Sequence, residues 1–175
     1  MKKLFLAAFA VFAFASVQAQ TFGVLGGLSM YSGSGDVDGS ETGFHIGGFA
    51  DLELSDQFSL QPEVTYAMAG DYSAIGLNAI AKYAVSDEFS IHAGPTLAFV
   101  GGDVGDGLDA ISDAFDIDTT KLNISLAIGG SYDISEELFV QARYGFQLNN
   151  HISESDAGDF KYNVFTVGVG YRFGN

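Results

Sequence analysis

Three segments of the chain repeat one pattern: Leu54-Ser55-Asp56-Gln57-Phe58, Val85-Ser86-Asp87-Glu88-Phe89 and Ile134-Ser135-Glu136-Glu137-Leu138. In each, a short polar turn separates two stretches in which apolar residues alternate with small or polar ones. Strands joined so tightly run antiparallel. The turns alternate with longer polar connections, read at residues 32–42, 71–74, 102–121 and 150–161. A chain with this rhythm passes up and down through a layer.

The segment in front of the repeats says what the layer is. Lys2 and Lys3 form a basic start, residues 4–17 are free of charge, and Val17-Gln18-Ala19 is a small-residue cleavage site. The uncharged run is 14 residues, short of the roughly 20 that a spanning helix needs. Residues 1–19 are therefore read as a signal peptide cut after Ala19, and residues 20–175 as one barrel domain. No later stretch reads as a membrane helix, yet 47% of the chain is hydrophobic and 23 residues are Gly. High apolar content without a long run fits strands with one side in lipid. There is no Cys, so neither a disulfide framework nor a lipid-anchored precursor is expected. Net charge is −15, or −17 once Lys2 and Lys3 are gone, which argues against nucleic acid or an anionic surface as partner.

Eight strands are read, at about residues 22–31, 43–54, 58–70, 75–86, 89–101, 122–134, 138–149 and 162–173. In the last, Phe165, Val167, Val169, Tyr171 and Phe173 share one face, and Thr166, Gly168, Gly170 and Arg172 the other. In the seventh, Leu138, Val140, Ala142, Tyr144 and Phe146 oppose Gln141, Arg143, Gly145 and Gln147. The second face is small and polar throughout, which suits the cramped interior of an eight-stranded barrel. The apolar face is therefore assigned to lipid. Phe58, Phe89, Phe139, Tyr171 and Phe173, close to the tight turns, are read as an interfacial aromatic girdle. The predicted long connections carry 13 of the 22 acidic residues, so the outer rim is expected to be acidic; solvation and mutual repulsion of neighbouring barrels account for it better than a cation site.

The lumenal face gathers the only concentrated set of charges: Asp51, Glu53, Glu63, Lys82, Asp133, Arg143 and Arg172. All fall in the halves of their strands nearer the tight turns, so they are expected at one level. Charges inside a barrel must pair; Glu63 is expected to pair with Lys82, and Arg143 with Asp51, Glu53 or Glu63. This set is read as a polar plug in preference to an ion gate. In residues 102–121, Leu108, Ile111 and Phe115 recur near helical spacing, with a mobile loop as an equal reading. Asp36-Val37-Asp38-Gly39-Ser40-Glu41 looks like part of a calcium loop but lacks the ligands that complete one. His45 and His151 are placed at the outer rim and His92 at the opposite end of the lumen; none has the spacing of a catalytic residue. No cofactor, metal or enzymatic activity is expected.

Several stretches together resemble the small outer-membrane β-barrel, porin-like family common in Bacteroidetes. They are Leu60-Gln61-Pro62-Glu63 with Tyr66 and Gly70, Ala81-Lys82-Tyr83 followed by Ala93-Gly94-Pro95, Ala142-Arg143-Tyr144-Gly145 with Leu148-Asn149-Asn150, and Gly170-Tyr171-Arg172-Phe173. The resemblance covers nearly all of the chain after the signal segment. It implies residence in the outer membrane, contact with its lipid, and insertion by the barrel assembly machinery, which reads a terminal aromatic; here Gly174 and Asn175 follow Phe173. It implies no particular activity. The expected protein is an all-β, eight-stranded antiparallel up-and-down transmembrane β-barrel, monomeric, with a filled lumen and acidic loops in a structural or surface-interaction role. A small pore for ions or solutes is the alternative. No feature names an extracellular partner.

Overall fold

The computed structural model of the chain describes residues 20–35, 39–102, 106, 121–149 and 160–173. Eight strands follow in order: β1 (Gln20–Gly35), β2 (Ser40–Glu53), β3 (Phe58–Ala69), β4 (Tyr72–Ala84), β5 (Phe89–Gly101), β6 (Leu122–Asp133), β7 (Leu138–Gln147) and β8 (Phe160–Arg172). Each pairs antiparallel with its neighbours in sequence, and β8 pairs with β1 from Gly23–Arg172 to Gly35–Phe160, closing the sheet. Closure removes both edges, so the backbone groups of every strand meet partners within the sheet, as hydrocarbon demands. The expected all-β up-and-down barrel is the fold.

The three repeated segments make one kind of turn. The amides of Leu54 and Ser55 donate to the Phe58 carbonyl at 2.8 and 3.0 Å, and those of Val85 and Ser86 to Phe89 at 2.8 and 3.1 Å. Ile134 and Ser135 do the same to Leu138 at 2.8 and 3.1 Å. In each turn the serine hydroxyl accepts the amide three residues on, Phe58, Phe89 or Leu138, at 3.1–3.2 Å. Side-chain capping of this kind lets a turn form without glycine.

The expected long connection at 71–74 is instead a two-residue turn. Ala69 pairs with Tyr72, and Gly70 supplies the positive φ of +53° that the reversal needs. The strand pattern missed it because Tyr72, Ser73 and Ala74 do not alternate in polarity. β1 and β2 also extend farther outward than read, through Ser32 opposite Ser40 and Asn163. Above the bilayer both sides of a strand meet water, and the alternation that marks a strand in sequence fades.

The apolar side chains point outward. Ile46 is 60% exposed and Phe44, Val64, Ile75, Ile91, Ile128, Phe165 and Val169 stand similarly open, whereas Gln61, Glu63, Lys82, His92 and Arg143 are buried. On β5 the outward row runs from Phe89 to Phe99, which at ~3.3 Å per residue and a tilt near 40° covers roughly 25 Å. That is the height of the lipid-facing band of such barrels. Two prolines interrupt the ladder: pairing between β2 and β3 skips from Phe49–Glu63 to Leu52–Leu60 around Pro62, and between β4 and β5 from Asn78–Thr96 to Ala81–Ala93 around Pro95. A proline has no amide to donate. The segments 108–115 and 36–38 and His151, with the readings attached to them, lie outside the described residues.

Candidate functional site: the barrel lumen

The lumenal charges occupy two levels. In the register Lys82 stands opposite Ser59 and Glu63 opposite Asn78, so Glu63 is four residues farther along β3, about 13 Å at the rise of a strand. The expected Glu63–Lys82 pair is therefore absent. Lys82 Nζ reaches Asp51 Oδ2 at 3.2 Å instead. Arg172 joins this lower level, 2.8 Å from Asp133 and 3.7 Å from Asp51 Oδ2. Glu53 stands apart, exposed at the end of β2 with no ion pair among the described residues. Asp51 Oδ1 is buried with no hydrogen-bond partner.

The upper level centres on Glu63 and Arg143, which meet across the lumen from β3 and β7. Arg143 Nη1 lies 2.7 Å from Glu63 Oε1 and donates to Oε2 at 2.9 Å. Gln61 Nε2 and Asn78 Nδ2 donate to the same carboxylate at 2.7 and 3.0 Å. Three hydrogen bonds thus converge on the carboxylate, with the guanidinium also close to Oε1, so its charge is matched inside the lumen. Arg143 also donates from Nη2 to Gln141 Oε1 at 2.8 Å and from Nε to His92 Nδ1 at 3.2 Å. A guanidinium only donates, so His92 accepts at Nδ1 and carries its proton on Nε2, which gives it to Ser131 Oγ at 3.0 Å. Removing any one member orphans the others inside a medium where unpaired polar groups are costly.

Sequence reasoning missed an aromatic layer between the two levels. Phe139, assigned to the girdle, is fully buried in the lumen; Phe58, Phe89, Tyr171 and Phe173 do face outward near the tight turns. The Phe139 ring packs edge-on against Phe49 at 5.6 Å between centroids, with Leu25 completing the cluster. The Arg172 guanidinium lies 4.6 Å and Lys82 Nζ 5.4 Å from the ring centre, a double cation–π contact. Phe49 sits where a side chain on Gly23 would be, and Phe139 where one on Gly170 would be. Two signals could have found this layer. Phe139 shares strand parity with Gln141 and Arg143, and the glycines mark where the facing wall makes room.

His45, expected as a solvated rim residue, is also buried in the lumen, its Nδ1 2.9 Å from Ser29 Oγ. Two cavities flank the aromatic layer. One, of about 130 Å³, lies on the outer side with Ser29, His45, Glu63 and Arg143 among its walls. The other, of about 790 Å³, opens among the three tight turns and is lined by Asp51, Lys82, Asp133 and Arg172. They share no lining residue, and Phe49, Phe139, Ile80 and Gln61 line neither. No group of three or more metal-ligating side chains occurs among the described residues.

Comparison with known proteins bears on fold and family. The profile of a family described as "Outer membrane protein beta-barrel domain" matches residues 4–173. Comparison with curated proteins finds none that matches. Among solved structures, Neisserial surface protein A is similar with a TM-score of 0.55 at 14% identity, covering 89% of this chain and 100% of that one. Ail of Yersinia pestis, solved with the heparin analogue sucrose octasulfate, gives 0.52 at 12% identity over 89% of this chain and 100% of its own. The outer membrane enzyme PagL gives 0.52 at 14% identity over 90% and 100%. At such identities the likeness is one of fold.

Proposed function

This chain belongs to the outer membrane protein beta-barrel domain family, and from that membership we propose a non-enzymatic protein whose lumen is filled by side chains and whose acidic loops serve a structural or surface-interaction role. Its place is the bacterial outer membrane. The observation that carries the reading is the Phe49–Phe139 layer with the Glu63–Arg143 pair above it. A direct aromatic contact offers an ion nothing in exchange for its hydration shell, and a carboxylate already matched by a guanidinium offers it little.

The test is conductance of the protein in planar bilayers. Wild type is expected to pass no resolvable current, and so is Arg143→Ala, because Phe49 and Phe139 still close the axis. Stepwise channels in wild type would replace this reading by the alternative, a small pore for ions or solutes, which the two cavities on either side of the layer favour. Among the described residues the Ser29–His45 and His92–Ser131 contacts are both buried in the lumen, away from lipid, which weighs against an enzyme.

The biogenesis proposed with this role is export, removal of residues 1–19, and insertion as a monomer by the barrel assembly machinery. N-terminal sequencing of the mature protein is expected to begin at Gln20; a retained Met1 would refute the signal.

A further inference from the structure

The outer lumenal cavity is built into the chain. Ala67, Ala74, Gly76, Ala98, Ala127 and Gly145 all line it, on five successive strands, three of which carry the large side chains Gln61, Ile80 and His92 farther in on the same face. The resulting space, about 130 Å³, is several times what one water needs by a comparable measure, ~10–15 Å³. Left unfilled, a space of that size forfeits contacts along its walls, which a guest that fits it would regain.

The walls state the chemistry of that guest. Thr65 Oγ1, Thr166 Oγ1, Asn78 Oδ1 and Gln141 Nε2 line the space and have no protein hydrogen bond among the described residues, although the other amide atoms of Asn78 and Gln141 are engaged by Glu63 and Arg143. The surface therefore offers both donors and acceptors. It offers no spare charge, because Glu63 and Arg143 neutralise each other, and an ionic guest would be left unpaired. Inward the chamber is bounded by Leu25, Glu63, Gln141 and Arg143, with the Phe49–Phe139 layer beyond them. At the outer end Tyr31 of β1 and Tyr72 of β4 meet across the lumen, ring centres 4.7 Å apart.

We infer that the outer chamber of the lumen is a blind binding site for a small uncharged solute rich in hydrogen-bonding groups, of the polyol class and the size of glycerol, admitted from outside past Tyr31 and Tyr72. The site rests on the closed-lumen reading only for its blindness. Water alone fills the chamber when no such solute is present.

The experiment is a titration of the isotope-labelled protein in detergent micelles with glycerol, followed by amide chemical shifts, with acetate as the charged comparator. Glycerol is expected to produce saturable shifts in the residues around the chamber, and acetate to bind at least tenfold more weakly. Ala127→Leu, which fills the space, is expected to abolish the glycerol shifts. Should that variant fail to fold, Thr65→Val, which removes a hydroxyl at constant size, is expected to weaken glycerol at least threefold. Absence of saturable shifts in wild type, unaltered shifts in the variants, or acetate binding as well as glycerol would each overturn the site. Conductance is read separately: a current in wild type with saturable glycerol binding overturns the closed lumen and leaves the site standing.

Discussion

Glu63 and Arg143 illustrate what a single side chain does in this lumen. Replacing either alone leaves its partner buried with its charge unmatched, which costs on the order of 3–5 kcal/mol, while removing both together costs much less. Urea unfolding of Glu63→Gln, Arg143→Met and the double variant in lipid vesicles is expected to show this non-additivity; additive losses would mean that the two do not act as a pair. Gly170 makes the same point sterically. A side chain there meets the Phe139 ring, so Gly170→Val is expected to destabilise the barrel by about 1–3 kcal/mol in the same measurement. Reading from residues alone anticipates the partnership of Arg143 with an acid, but it groups Glu53 with charges from which it stands apart. It misassigned Lys82, because ion pairing depends on level along the axis, and level follows from register, which hydrophobic alternation does not reveal. It misplaces Phe139 because nearness to a turn suggests the girdle, whereas its strand parity, shared with Gln141 and Arg143, points it into the lumen.

The tight turn is the element that the chain writes most plainly. All three copies use a serine hydroxyl to hold the amide that starts the next strand. Ser55→Ala, Ser86→Ala and Ser135→Ala are each expected to lose about 0.5–1.5 kcal/mol in urea unfolding without altering conductance. A loss confined to one turn would show that the repeated sequence does not make a repeated contact. The strands were legible wherever one side met lipid and the other the lumen. They were not legible above the bilayer, where β1 and β2 continue through polar residues, nor at Gly70, where a two-residue turn passes for loop.

At the scale of the whole molecule, closure and sidedness depend on each other. A closed sheet of eight strands leaves an interior wide enough for side chains and at most one small ligand, so the small and polar residues belong inside and the apolar rows meet lipid. Both properties follow from a period of two and a count of eight, and both are visible in the sequence. How the interior is filled is not, because the Phe49–Phe139 contact joins residues on β2 and β7 and arises only when the sheet is curled. The chain has no Cys, so a nitroxide placed on one introduced cysteine at a time reports a single position. The most direct test of sidedness is oxygen accessibility of such labels at successive positions from 138 to 147 in lipid vesicles. The expected result is an oscillation of period two, with maxima at 138, 140, 142, 144 and 146; maxima at the odd positions, or no oscillation, would contradict the account.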